Sequence, residues 1–349
     1  MIADPFFRIE TNEGFEAVPV AIDARLEKAI AAFGIGDAEK ASRIKKHNRL
    51  SALYLIKGAQ DRFVLRTFDA GHTKAVETQC RIVSELRDVE TIHPMRCEDG
   101  AFVHRADEEA WMAYPHIAGP LFTAPGVTVA EAITAALRFL IALQRWQKNY
   151  ASAFSDLPTI AREPDAWGDL RERFEAIGTT HLSAPTRATV RGKQARFDAL
   201  LAEAQGVHPK ADAVVHCDLQ HANLVIGPAG PAILDLEDIC IDSLAVSAAH
   251  AIFKLARHAV YLGLFDAGRA SSELVNPMVA WASKHGLLAG GMAAARALAA
   301  HRTAGDIHNI LLAMENPGTA WVAYDLEKKV NNFFEIGTLF EEESSCRKQ

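Results

Sequence analysis

Cysteine is scarce in this chain and unpatterned: the five in 349 residues (Cys80, Cys97, Cys217, Cys240, Cys346) include no C-x-x-C pair. An odd, scattered set speaks against a disulfide framework or structural zinc, and for a reducing cytoplasmic setting. Basic excess is also missing. The net charge of −7 argues against a nucleic-acid partner, because a phosphate backbone is bound through surplus Lys and Arg. No long uninterrupted hydrophobic run exists. The most apolar stretch, 245–265, is broken by His250, Lys254, Arg257 and His258, whereas a membrane-spanning helix needs about 20 nearly continuous apolar residues. It reads as a buried or amphipathic helix, with no membrane partner expected. The opening Met1-Ile2-Ala3-Asp4-Pro5 lacks a basic start followed by an apolar core, so no secretory leader is expected. Repeats and low-complexity tracts are absent.

What is present is an ordinary globular composition, 49% hydrophobic and 23% charged, in a length that suits two lobes better than one core. A helix is predicted over 22–33, where Leu26, Ile30 and Phe33 recur at helical spacing and Gly34 offers a stop. The period then changes to two. Residues 53–57 and 63–68 are β-rich runs around Gly58-Ala59-Gln60-Asp61, which reads as a hairpin. Residues 73–86 place Val76, Cys80, Val83 and Leu86 on one helical face, and 102–105 with 111–114 read as a second hairpin.

The second half is mostly helical. Residues 129–148 carry Ile133, Leu137, Leu140, Ile141 and Leu143 in a stripe. Helices are also predicted over 190–205, 244–264, 273–285, 292–314 and 320–336, with breaks at Gly286 and Pro317. Residues 156–186, rich in Pro, Gly and charge, read as partly irregular. The fold class is therefore α+β in two lobes, 1–115 and 116–349, joined near Pro115 to Pro120.

The chemistry is concentrated in His216-Cys217-Asp218-Leu219-Gln220-His221-Ala222-Asn223, followed twelve residues later by Asp235. This is H-x-D-L-x-x-x-N with a second Asp, the arrangement that holds a hydroxyl acceptor against a metal-bound nucleoside triphosphate. A loop after 213–215 aims Asp218 into a cleft, where a carboxylate can orient a hydroxyl and accept its proton. Asn223 enters the apolar strand 224–226, Gly227-Pro228-Ala229-Gly230 reverses the chain, and the strand 232–234 returns Asp235 beside Asn223. Two oxygen donors then converge on one hard cation.

These residues resemble the aminoglycoside phosphotransferase and choline kinase-like superfamily. The third motif reads Asp235-Leu236-Glu237 where protein kinases have Asp-Phe-Gly, and an acidic continuation is common in the small-molecule branch. The resemblance implies a protein-kinase-like fold with a β-rich nucleotide lobe and a helical acceptor lobe. It implies phosphate transfer from ATP or GTP with magnesium to a small hydroxyl-bearing molecule, Asp218 as catalytic base, and Asn223 and Asp235 as metal ligands. His216 is read as bracing the loop. At the nucleotide, Arg66 ends the Phe63-Val64-Leu65-Arg66 strand where kinases place lysine, and is assigned to the phosphates with Glu77 as its ion-pair partner. Glu85 is the weaker rival for that role. The segment before the first strand, Lys45-Lys46-His47-Asn48-Arg49-Leu50-Ser51, departs from the family by lacking glycine, which leaves Asn48, Arg49 or backbone amides to cover the phosphates. Backbone groups around Ala113, Tyr114 and His116 are expected to meet the adenine.

Other readings stay open. Arg66, the missing glycines and the absence of an Asp in 247–250 suit a nucleotide-binding scaffold without turnover; Asp242 stands where the family has a loop-fixing Asp. His216, Asp218 and His221 form a metallohydrolase-like set, although that leaves Asn223 and Asp235 idle. A protein acceptor is disfavoured because no A-P-E segment follows Asp235. His250, Lys254 and Arg257 share a helical face, read either as a solvated surface or as a contact for an anionic or hydroxyl-rich substrate.

Overall fold

The period-two segments of the first third close into one antiparallel sheet. In the computed structural model, which describes residues 16–45, 52–150, 154–160, 168–314 and 321–341, the strand order is β1-β2-β3-β4-β6-β5. The strands are Glu16–Val20 (β1), Lys40–Lys45 (β2), Leu53–Lys57 (β3), Arg62–Asp69 (β4), His104–Ala106 (β5) and Glu109–Pro115 (β6). Alternation along β4 sends Val64 to one face and Leu65 to the other, and β6 does the same with Met112 and Trp111. Helix α1 (Ala24–Ala32), capped by the Asp23 carboxylate on the Leu26 amide at 2.8 Å, packs Leu26 and Ile30 on the Leu65–Trp111 face. Helix α2 (Thr73–Glu85) packs Val76, Cys80 and Val83 on the other, in a core that runs on into the second lobe. Strands β1 and β2 were not anticipated. They lie at one side of the sheet with β1 outermost, and Lys40–Lys45 reads KASRIK, with no clean apolar alternation to mark it.

The helices that follow are α3 (Val129–Asn149), α4 (Leu170–Arg173), α5 (Thr179–His181), α6 (Ala184–Gly192), α7 (Gln194–Gln205), α8 (Leu244–Tyr261), α9 (Ala267–Ala270), α10 (Asn276–Lys284), α11 (Met292–Met314) and α12 (Trp321–Leu339). A capping box starts α3: Thr128 Oγ1 accepts from the Glu131 amide, and the Glu131 carboxylate accepts from the Thr128 amide. Helix α8 lies against α3, α11 and α12 and is buried nearly all round. The predicted 190–205 helix is two, parted at Lys193, and 156–186 includes the short helical turns of α4 and α5. Pro317 lies outside the described residues.

Between the sheet and the helices lie two short antiparallel pairs. Ala213–His216 (β7) pairs with Ile239–Asp242 (β10), a strand not foreseen, and Leu224–Gly227 (β8) pairs with Gly230–Ile233 (β9). Both chain crossovers add to the β8–β9 hairpin. On one side Ile92 N–H donates to Ile233 O (3.2 Å) and Ile233 N–H to Glu90 O (3.1 Å); on the other Phe122 N–H donates to Leu224 O (2.8 Å) and Ile226 N–H to Pro120 O (2.9 Å). The hairpin is thus held from both flanks. Gly119 is required for this contact, since a Cβ there would lie 2.0 Å from Ile226 O.

Candidate active site

The β7 strand delivers His216 to a fully buried position. Its Nε2–H donates to Leu234 O at 3.0 Å and its Nδ1 accepts from the Asp218 amide at 3.3 Å, which fixes a neutral tautomer. His216 therefore ties the loop to the strand before Asp235. Both ring nitrogens are committed, so the metallohydrolase set does not assemble. His221 instead stacks on His258, centroids 3.5 Å apart and planes 6° apart.

Asp218 is half-buried at the cleft, its Oδ2 accepting from Gln220 Nε2 at 2.5 Å. Asn223 donates its amide Nδ2 to Asp218 O at 2.9 Å, and that bond turns the amide oxygen away from the loop as the ligand-capable atom. Leu234 N–H donates to Asn223 O at 2.9 Å, so the hairpin places the next residue, Asp235, beside Asn223. Asp235 adopts φ 63° and ψ 64°, the left-handed conformation that Asp tolerates better than most residues, and is 6% exposed.

The Arg66 guanidinium reaches this acidic turn and pairs with both Asp235 and Glu237. Burial alone would lower its pKa; the charges of Glu237 and Asp235 outweigh that and hold it protonated. The Glu237 carboxyl is itself pushed well up by burial and by its contact with Asp235. The expected Arg66–Glu77 pair is not formed. Glu77 instead accepts the Phe102 amide at 2.9 and 3.1 Å, because its position on α2 faces the entry to β5 and not the end of β4. Two residues on, Gln79 instead ties α2 to the turn after Asp235: Nε2 donates to Glu237 O at 3.0 Å and Ile239 O at 2.7 Å. A buried Gln within the Val76–Cys80–Val83 stripe was the available signal. Glu85 accepts from Trp146 Nε1 at 2.8 Å, away from the site.

Ala113, Tyr114 and His116 line the end of β6. Ala113 O accepts from Met95 N–H (2.8 Å) and His116 N–H donates to Arg62 O (2.8 Å), so these two groups serve the fold. Tyr114 is buried, which raises its phenol pKa, and lies in the field of Arg66. Asn48 and Arg49 lie outside the described residues.

The reading of the α8 face as solvated is overturned. His250, Lys254, Arg257 and His258 are all buried, because α11 and α12 close over them. Arg257 forms an ion pair with Glu335, both fully buried, with Nη2 to Oε1 at 3.4 Å. Arg302 on α11 bridges Asp242 (3.7 Å) and Asp306 (3.3 Å), and Lys329 completes the row on Asp306 at 2.6 Å. Burial would raise the Asp306 pKa; Lys329 and Arg302 reverse that and hold it well below the carboxylate range. Asp242, in β10 opposite Ala213, is therefore held from behind by Arg302, a partner that sequence spacing could not reveal.

The residues fit a divalent cation with nucleotide. Asp235 and Glu237 form an acidic turn that already takes a cationic group, and Asn223 is joined through its backbone to Leu234, the residue before Asp235. An antiparallel sheet with one internal helix, set over a helical lobe with the Asp218, Asn223 and Asp235 hairpin between them, defines a two-lobed kinase-like protein. Residues 43–273 match the family described as "Phosphotransferase enzyme family", and the chain belongs to it. The fold is similar to spectinomycin phosphotransferase APH(9)-Ia, solved with ADP and spectinomycin (TM-score 0.61, 13% identity, 93% of this chain and 100% of that one). It is also similar to the amicoumacin kinase hAmiN, solved with AMP-PNP, Ca2+ and amicoumacin (0.58, 12%, 89% and 93%). A third is the aminoglycoside phosphotransferase of Alicyclobacillus acidocaldarius (0.58, 12%, 95% and 98%). No curated protein matches. Among the described residues no helix is long and apolar enough to cross a membrane.

Proposed function

We propose that the chain transfers the terminal phosphoryl group of ATP or GTP to a hydroxyl of a small molecule, in the cytoplasm. The observation that carries this is the convergence of Asp218, Asn223 and Asp235 on one clamped hairpin with Arg66 facing it. Residues 1–115 form the nucleotide lobe and 116–349 the catalytic and acceptor lobe in this reading. Asp218 orients the acceptor hydroxyl and takes its proton as the oxygen bonds to the γ-phosphorus and the bridging P–O bond breaks, releasing the nucleoside diphosphate. Asn223 and Asp235 hold magnesium, which when bound neutralises charge on the phosphates. Arg66 swings from Asp235 toward the phosphates, where its planar fork suits bidentate contact. Glu77 acts indirectly, by fixing the Phe102 backbone, and Asn48 with the Tyr114 region covers phosphates and adenine.

Support comes from the family and from the nucleotides and small substrates named with the similar structures. The test is release of nucleoside diphosphate across a library of hydroxyl compounds. Asp218→Asn should lower turnover by about 10² to 10⁴-fold, with nucleotide affinity kept. Full transfer by that variant sinks the mechanism, and binding without transfer to any compound identifies a scaffold.

A further inference from the structure

The polar face of α8 is more than a brace. Ser247, His250 and Lys254 fall on one side of the helix, each less than 5% exposed. Ser247 Oγ and His250 Nδ1 have no hydrogen-bond partner, and Lys254 has no carboxylate within ion-pair distance among the described residues. The Arg257–Glu335 pair joins α8 to α12, the helix that also carries Asn332. Asn332 Oδ1 is likewise buried without a partner. Nearby acids are already committed: Glu335 to Arg257, and Asp306 and Asp242 to Arg302 and Lys329. Lys328, Lys329 and Arg257 all add positive charge around Lys254, and Asp218 is the acid whose charge reaches it. Helix α8 also packs on the His221–Asn223 turn of the catalytic loop. A buried amine with unmet polar neighbours, in the field of the catalytic base but with no carboxylate at ion-pair distance among the described residues, is costly for the fold alone. An incoming anion supplies what is missing.

We propose that the acceptor is an alcohol carrying an anionic group, a carboxylate or a phosphate, whose charge is received by Lys254 on the buried face of α8 while its hydroxyl meets Asp218. The proposal rests on the phosphotransferase reading and names its substrate class. Burial, with Lys328, Lys329 and Arg257, holds the Lys254 pKa well below that of an ordinary lysine, and a bound anion restores its charge.

The experiment compares glycerate, glycerol 3-phosphate, glycerol and ethanolamine, then larger members of the same four classes, by nucleoside diphosphate release with magnesium and ATP. Transfer is expected to a hydroxy acid or a phosphorylated alcohol, and the first two arms tell which. Lys254→Met, which keeps volume, should raise the acceptor KM on the order of 10²-fold, while Lys254→Arg retains most of the affinity. Preferential transfer to uncharged or amino compounds overturns the proposal, as does an acceptor KM unchanged in Lys254→Met. With no transfer at all, melting-temperature shifts on adding glycerate or glycerol 3-phosphate to nucleotide-loaded protein decide: a shift lost in Lys254→Met supports it, and no difference between the two proteins overturns it. Calorimetry with magnesium and ATP separates the two readings. Absence of nucleotide binding sinks the phosphotransferase reading, whereas binding with transfer to a cationic acceptor sinks only the anionic one.

Discussion

Removing the Arg66 guanidinium leaves the buried Asp235 and half-buried Glu237 carboxylates without their cation. Arg66→Ala should therefore lower unfolding free energy by about 3–5 kcal/mol and impair nucleotide use, whereas Arg66→Lys keeps a charge and loses the fork. Denaturant titration with nucleotide KM checks both. At Lys254 the sign runs differently. Its folded pKa is depressed, first by burial and then by Lys328, Lys329 and Arg257, against Asp218. Between that value and the ordinary lysine pKa of about 10.4, the unfolded chain binds the extra proton, so native stability rises with pH. Lys254→Met should thus stabilise the protein most below the folded pKa, an advantage that shrinks as pH climbs from there toward the ordinary lysine value. A difference in melting temperature that is flat with pH contradicts this. The motif residues were legible in sequence because their spacing is local. Arg66 was legible in position and wrong in partner, since the choice between Glu77, Asp235 and Glu237 depends on how α2 sits, a long-range packing outcome.

Among the elements, α2 is joined to the third motif by Gln79, whose amide satisfies two carbonyls in the turn that carries Glu237. Gln79→Leu leaves both carbonyls buried and unmet. A loss of about 1–3 kcal/mol is expected, with a higher KM for magnesium nucleotide, because the turn that positions Asp235 loosens. Unchanged nucleotide kinetics in a destabilised variant would limit Gln79 to a structural role. Helix α3 was readable from its apolar stripe and α11 as a helix over 292–314, while β1, β2 and β10 were not. β1 is the outer strand, β2 reads KASRIK, and β10 is only four residues long, so neither alternation nor length marked them. The α8 face misread as solvated shows the same limit. Four ionisable residues within one helix look like surface until α11 and α12, more than 30 positions away, are seen to cover them.

For the whole molecule, ligand linkage offers the broadest check. A magnesium nucleotide at 100 times its dissociation constant should add about 2.7 kcal/mol of stability by mass action, read as a melting-temperature rise that Asp235→Asn diminishes. The clamped hairpin carries a different consequence. Residues 90–92 belong by chain order to the first lobe and by hydrogen bonding to the second, and Phe102, Val83 and Met112 share one continuous core with α3 and α8. The lobes are therefore not separable inheritances. A fragment ending at residue 115 would expose that shared core and leave residues 90–92 without their partner Ile233, so it should be insoluble alone yet recover when its complement is produced in the same cell. Duplication, loss or exchange of one lobe by recombination would be selected against for the same reason, and the two halves are bound to drift together.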